Sequence, residues 1–220
     1  MRKILLPLAT LAIVALMFAS FSIAGDEKAK DKKKGDDAQQ AAASSTAKIG
    51  EAAPAFTLHD INGKTHNLAD YAGKTVVLEW INPDCPFVQR HYNLDTMTNL
   101  ASKNKDVVWL AIATGATADA ENLKTFAQKE SIGYPILLDP DGSTGHAYGA
   151  KTTPQMFIID KDAKLVYAGG IDDKAVGEPN APLKDGTVNY VEKALKEVAD
   201  GKPVSQAETK SYGCSVKYKK

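Results

Sequence analysis

The chain has 220 residues, with 27 basic and 27 acidic side chains and a formal charge of zero. That balance gives no basic surplus of the kind that binds nucleic acid. A hydrophobic content of 44% supports one domain with a sizeable core once the termini are set aside.

In chain order, "MRK" is a short basic start, "ILLPLATLAIVALMFASFS" is apolar, and "SIAG" supplies small residues. Residues 1–24 are predicted to be a secretory signal peptide cleaved after Ala24. The alternative is an uncleaved membrane anchor, because the apolar run is near spanning length. In both cases the remainder lies outside the cytosol, where disulfides persist. Residues 25–48 are charged, rich in Ala and Ser and without an aromatic, so they are predicted to form a disordered linker. Residues 49–204 form the predicted domain, and 205–220 a C-terminal tail carrying Cys214.

Within the domain, "AFTL" and "THNL" are short strands joined by "HDINGK", whose Asn62-Gly63 step signals a hairpin. "KTVVLEWI" and "VVWLAIA" are buried-strand runs. Between them Phe87, Val88, His91, Leu94, Leu100 and Ala101 recur at helical spacing. "ADAENLKTFAQKE" predicts a helix with Leu123, Phe126 and Ala127 inward. "YPILLD", "QMFIID" and "KLVYAG" are further strands. A last helix sets Val188, Val191, Leu195 and Val198 on one face. Strands alternating with helices predict an α/β domain, a central sheet flanked by helices, extended by the N-terminal β-hairpin.

Cys85 falls four residues beyond Ile81, at the carboxyl end of the first long strand, where open α/β sheets place their sites. Pro86 suits the first position of a helix, which puts Cys85 at or near the N-cap. A sulfur there faces free amides and the positive end of the helix dipole, which favour the nucleophilic thiolate. Asp84 opposes that effect. Arg90 and His91 lie further along the same helix. The other cysteine, Cys214, is far away in sequence, and a purely structural disulfide between the two is an open alternative.

"EWINPDCPF" followed by "TTPQMFIID" resembles the thioredoxin-fold redoxins of the peroxiredoxin-like AhpC/TSA family. The entry "IGEAAPAFTLHDINGKTHNLADYAGK", the loop "DPDGSTGHAYGAKTTP" and the strand "FIIDKDAKLVYAGGIDD" add to the resemblance. The ending "YGCSVKY" is similar to that of secreted members with a single active-site cysteine. The resemblance implies a thioredoxin-like fold with a central mixed sheet. It makes Pro154 a cis-proline that holds Thr153 facing the reactive sulfur. It also implies an antioxidant thiol oxidoreductase in which Cys85 attacks a hydroperoxide or disulfide, Cys214 resolves the product, and an extracytoplasmic thioredoxin-like donor reduces the resulting disulfide. No cofactor or metal is implied. Trp80, Asn82, Pro83, Asp84, Pro86, Phe87, Thr153 and Pro154 would form the surroundings of the sulfur, with core packing an equal alternative for Trp80.

The departures bear on which reaction is run. Asn82 and Val88 stand where a Cys-x-x-Cys pair would need a second cysteine. Leu78 and Asn82 stand where peroxiredoxins place the proline and the hydroxyl residue that precede their cysteine. Arg2 and Arg90 are the chain's arginines, so none comes from a later strand. Asn82 is the candidate to bind a peroxide in place of threonine. Exchange with protein disulfides and a non-catalytic, disulfide-stapled binding module are the alternative functions. Copper carriage is poorly supported, since Gln89 replaces the second cysteine of that motif and His146 is its one candidate partner. His59 and His66 flank the hairpin and are expected to face solvent. Asp172 and Asp173 are read as a turn or cap rather than as an acid–base pair.

Overall fold

The computed structural model describes residues 46–174 and 187–219. The predicted signal peptide and all but the last residues of the predicted linker lie outside the described residues.

Strands β1 (Thr57–Asp60) and β2 (Thr65–Asn67) form the expected hairpin. Asp60 holds its turn by accepting from the amides of Asn62 (2.8 Å) and Lys64 (3.0 Å), and Gly63 takes the positive φ of 84° that the reversal requires. The chain continues through β3 (Val76–Trp80), α1 (Pro86–Asn93), α2 (Thr96–Lys103), β4 (Val108–Thr114), α3 (Ala120–Lys129), β5 (Ile136–Asp139) and α4 (Ser143–Tyr148). It ends with β6 (Thr152–Thr153), β7 (Gln155–Ile159), β8 (Leu165–Gly169), α5 (Tyr190–Ala199) and β9 (Cys214–Ser215).

Seven strands make one mixed sheet in the order β2-β1-β5-β4-β3-β7-β8. The helical crossovers make β3, β4 and β5 parallel, while β7, β8 and the hairpin join antiparallel. This is the thioredoxin-like α/β arrangement, with the hairpin extending one edge. Alternation along the strands divides the core in two. Val77, Ala111, Ile136, Met156 and Ile158 pack with residues of α1, α2, α3 and α5. Leu78, Trp80, Ile112, Leu137 and Phe157 pack on the opposite face beneath Tyr148 and Ala150.

The tail is part of this fold. Ala207 and Thr209 bond to Ala168 along the outer edge of β8, at 2.9 and 3.2 Å, and β9 pairs antiparallel with β6. Among the described residues, no helix is long and apolar enough to cross a membrane.

Three expectations need correction. The helical spacing from Phe87 to Ala101 spans two helices, because Asp95 takes a left-handed conformation (φ 53°) and turns the chain; Leu94, at that break, is 38% exposed. Val188 precedes α5 rather than belonging to its buried face, and is likewise exposed. His66 is buried, bonded through Nε2 to Asp60 (3.0 Å) and through Nδ1 to Tyr71 (2.5 Å), so it braces the hairpin; His59 is solvent-facing.

Candidate active site

Where β3 ends, the chain must turn into α1, and the side chains of the turn hold it closed. The Asn82 side-chain oxygen accepts from the Asp84 amide (3.0 Å), the Asn82 carbonyl from the Cys85 amide (3.0 Å), and Gln89 Nε2 donates back to the Pro83 carbonyl (2.8 Å). Asn82 is thus engaged in shaping the loop. Pro86 opens α1 at its first position and Cys85 is the N-cap.

The sulfur does not cap the helix. It donates to the Thr153 carbonyl of β6 at 3.0 Å. The Thr153–Pro154 bond is cis. Gln155 steadies this loop from behind, its side-chain oxygen accepting from the amides of Lys151 (2.8 Å) and Thr152 (3.2 Å). The sulfur thus faces the Thr153 carbonyl instead of the amides expected from the helix start.

A second feature is access. Cys85 is 0% exposed, so a substrate cannot reach the sulfur in this arrangement. The reason is long-range: the tail returns over the site. Thr153 pairs with Cys214 across β6 and β9, and both cysteines are in the thiol form. Partial burial, together with a hydrogen bond to the Cys85 sulfur, pushes the Cys214 thiol up to about 11 despite the opposing charge of Lys217. Cys214 is therefore uncharged near neutral pH in this arrangement. Gly213 makes the approach possible: its φ is 126°, and a Cβ there would lie 2.0 Å from the Thr153 oxygen.

Beside the thiols is a buried polar cluster that the sequence reading did not assemble. Tyr212, 7% exposed, donates its hydroxyl hydrogen to Asp172 Oδ1 (2.5 Å) and meets His91 Nε2 at 2.9 Å. Because that hydrogen goes to Asp172, the bond to His91 is donated by its ring N–H. Burial holds His91 down at about 4, with Asp172 opposing and Arg90 assisting, so the ring is neutral. Desolvation and the Asp172 carboxylate drive the Tyr212 hydroxyl far above its usual range, so it keeps its proton. Asp172 and Asp173 point apart: the first faces this cluster, and the second is exposed and accepts from the Val188 amide (3.1 Å). Phe87 meets the Tyr212 ring edge-on, 6.0 Å between centroids. The pattern Tyr-Gly-Cys was the available signal, an aromatic next to a hinge next to a thiol.

Glu79 was also missed, although a lone acid within the apolar run "VVLEW" was visible. It is wholly buried and accepts from Trp109 Nε1, Tyr92 and Tyr134, each at 3.0 Å. Desolvation, only partly offset by these bonds, raises its carboxyl from 4.5 to about 7. Trp80, the next residue, points to the other face. Its indole donates to Thr114 (3.0 Å) and its ring packs on Phe157 and Tyr148. Its place is in the opposite core cluster rather than beside the sulfur. His146 stacks on Tyr218 of the tail.

The model of the AhpC/TSA family matches residues 49–168. The chain belongs to the AhpC/TSA family. Among proteins similar to this family member is the thiol-disulfide oxidoreductase ResA of Geobacillus thermodenitrificans, 31% identical over 117 residues, which cover 53% of this chain and 66% of that one. A protein of Mycobacterium tuberculosis named for peroxiredoxin is 31% identical over 136 residues, covering 54% of this chain and 82% of its own length. Among solved structures, a conserved protein from Geobacillus kaustophilus superposes with a TM-score of 0.69 at 31% identity, covering 78% of this chain and 93% of that one. A protein from Sinorhizobium meliloti superposes at 0.66 with 27% identity, covering 79% and 96%. The AhpC/TSA match ends before the tail, so the packing of Cys214 is a feature read from this chain's own structure.

Proposed function

We propose that the protein is an extracytoplasmic thiol oxidoreductase whose Cys85 and Cys214 cycle between dithiol and disulfide. The observation that carries this reading is the meeting of the two sulfur-bearing residues at Thr153, Cys85 by a 3.0 Å hydrogen bond and Cys214 by strand pairing. Cys85 gives its proton to solvent, the thiolate attacks one sulfur of an incoming disulfide, and the other leaves as a thiolate that takes up a proton. Cys214 then attacks the Cys85 sulfur, the bond to the substrate breaks, and a Cys85–Cys214 disulfide remains. A thioredoxin-like donor supplies two electrons and two protons to restore the thiols. Location outside the cytosol rests on the signal-like residues 1–24.

Disulfide exchange is favoured over peroxide reduction because Asn82 stands where peroxiredoxins place their hydroxyl residue and its side-chain oxygen shapes the loop by accepting from the Asp84 amide. The antioxidant reading is supported by the AhpC/TSA match and by the mycobacterial relative. In that reaction the Cys85 thiolate takes one oxygen from a hydroperoxide, an alcohol or water leaves, and Cys214 condenses with the sulfenic acid to release water.

Intact mass separates the two. The reduced protein is mixed separately with oxidised glutathione and with hydrogen peroxide. Exchange chemistry predicts a glutathione adduct on Cys85 in Cys214→Ser, loss of two hydrogens in the unsubstituted protein, and slow reaction with peroxide. Peroxidase chemistry predicts a rapidly formed sulfenic acid in Cys214→Ser. A Cys85 unreactive to both overturns the redox cycle and leaves an architectural role.

A further inference from the structure

Residues 212–218 touch the domain on both sides of Cys214. On one side Tyr212 is sunk into the cluster formed by His91 and Asp172. Gly213 follows, packed so closely against the Thr153 carbonyl that no other side chain fits without displacement. On the other side the Val216 amide donates to Lys151 (3.0 Å), and the Lys217 carbonyl accepts from Ala116 (2.9 Å). Tyr218 completes the docking: its ring lies flat on His146, with centroids 4.0 Å apart and planes at 16°, and its hydroxyl donates to the Ala150 carbonyl (2.7 Å). These contacts reach α1, the loop after β4, α4 and β6; of these, α1 begins at Cys85 and β6 carries Thr153, whose carbonyl accepts from the Cys85 sulfur.

We infer that Tyr212, Gly213 and Tyr218 are positioning residues that seat the tail as a strap across the site, presenting Cys214 to Cys85 while keeping larger partners out. This deepens the dithiol cycle and rests on it. The helix α1 ties the two functions together, since it carries Cys85 at its start and His91, which holds Tyr212, on its second turn. A substrate disulfide gains Cys85 only when the strap lifts. Once a mixed disulfide has formed, redocking returns Cys214. Its sulfur gives its proton to solvent and attacks Cys85, a new S–S bond forms as the old one breaks, and the substrate leaves as a thiolate. Docking therefore sets the effective concentration of the second thiol.

The test uses the full chain in a Cys214→Ser background, where Cys85 is the remaining thiol. Alkylation by iodoacetamide is followed by intact mass in the parent, in Tyr218→Ala and in Gly213→Ala, with circular dichroism on each and a urea-unfolded sample as reference. The parent is expected to react at least about tenfold more slowly than the unfolded chain, and each variant to recover about tenfold. Gly213→Ala acts through the Thr153 contact and Tyr218→Ala through the far anchor, so agreement between them excludes a local folding defect. With both cysteines present, the same substitutions are expected to lower the effective concentration of Cys214 about tenfold in a glutathione equilibrium. Equal alkylation rates in all three folded chains overturn the strap, whether or not the disulfide forms. Unequal rates with no Cys85–Cys214 disulfide in the unsubstituted protein keep the strap and overturn the cycle.

Discussion

The two faces of the sheet are built from the same strands and behave as different materials. On β3, Val76, Leu78 and Trp80 point into a cluster whose polar groups are paired: the Tyr148 hydroxyl donates to the Pro54 carbonyl (2.7 Å), and the Trp80 indole to Thr114, which donates to buried Asp139 (2.7 Å). Val77 and Ile81 point the other way, into the cluster that holds Cys85. That side contains Glu79, His91, Asp172 and Tyr212, all buried and several with shifted protonation. The lesson is a division of labour. On the first face buried Asp139 is met by the Thr114 hydroxyl and by the amides of Thr144 and Gly145, whereas the face with the thiols holds an acid and an imidazole whose protonation burial has shifted.

This contrast can be broken by mutation. Trp80→Ala on the apolar face is expected to cost about 3–5 kcal/mol in denaturant unfolding, because a large cavity opens among Tyr148 and Phe157. The loss should be the same at pH 5 and pH 8. If it varies strongly between them, the division between the faces fails.

Glu79→Gln should change the slope rather than the level. Folding raises this carboxyl from 4.5 to about 7. Its contribution is therefore fully present below pH 4.5 and is lost as pH rises through about 7. At about 1.4 kcal/mol per pH unit, the span amounts to roughly 3 kcal/mol. His91 runs the opposite way: its folded value of about 4 lies below the ordinary 6.5, so its contribution is present above pH 6.5 and is lost as pH falls through about 4. The two slopes oppose each other across nearly the same window. Urea titrations from pH 4 to 8 should show a shallow profile in the unsubstituted protein and, in Glu79→Gln, stability that climbs with pH. An unchanged profile would mean that Glu79 is not the proton-binding group.

The smallest effect is expected from Tyr148→Phe. It removes one hydroxyl bond to a carbonyl and should cost about 1 kcal/mol, with no pH dependence.

Much of this architecture was legible in the sequence because it is local. The Asn62-Gly63 turn, the apolar runs of β3 and β4, and the cysteine–proline start of α1 each follow from a few neighbouring residues. What was hidden depends on distant ones. The helical spacing around Leu94 gave no sign that Asp95 would turn left-handed. The burial of His66 requires Asp60 and Tyr71 together. The closure of Cys85 requires a tail whose contact with Thr153 spans 61 positions of chain. Glu79 needed three donors from three separate segments before its burial could be understood.

The strand edge at β8 has one more consequence. Its outward backbone groups at Ala168 are occupied by Ala207 and Thr209 rather than by solvent. Proteolytic trimming that removed those residues would leave unpaired amides and carbonyls along a rim of the sheet, and such a rim recruits strands from neighbouring molecules. Clipped material should therefore self-associate by edge-to-edge pairing, so shelf life in solution becomes a property of a segment outside the seven-stranded sheet.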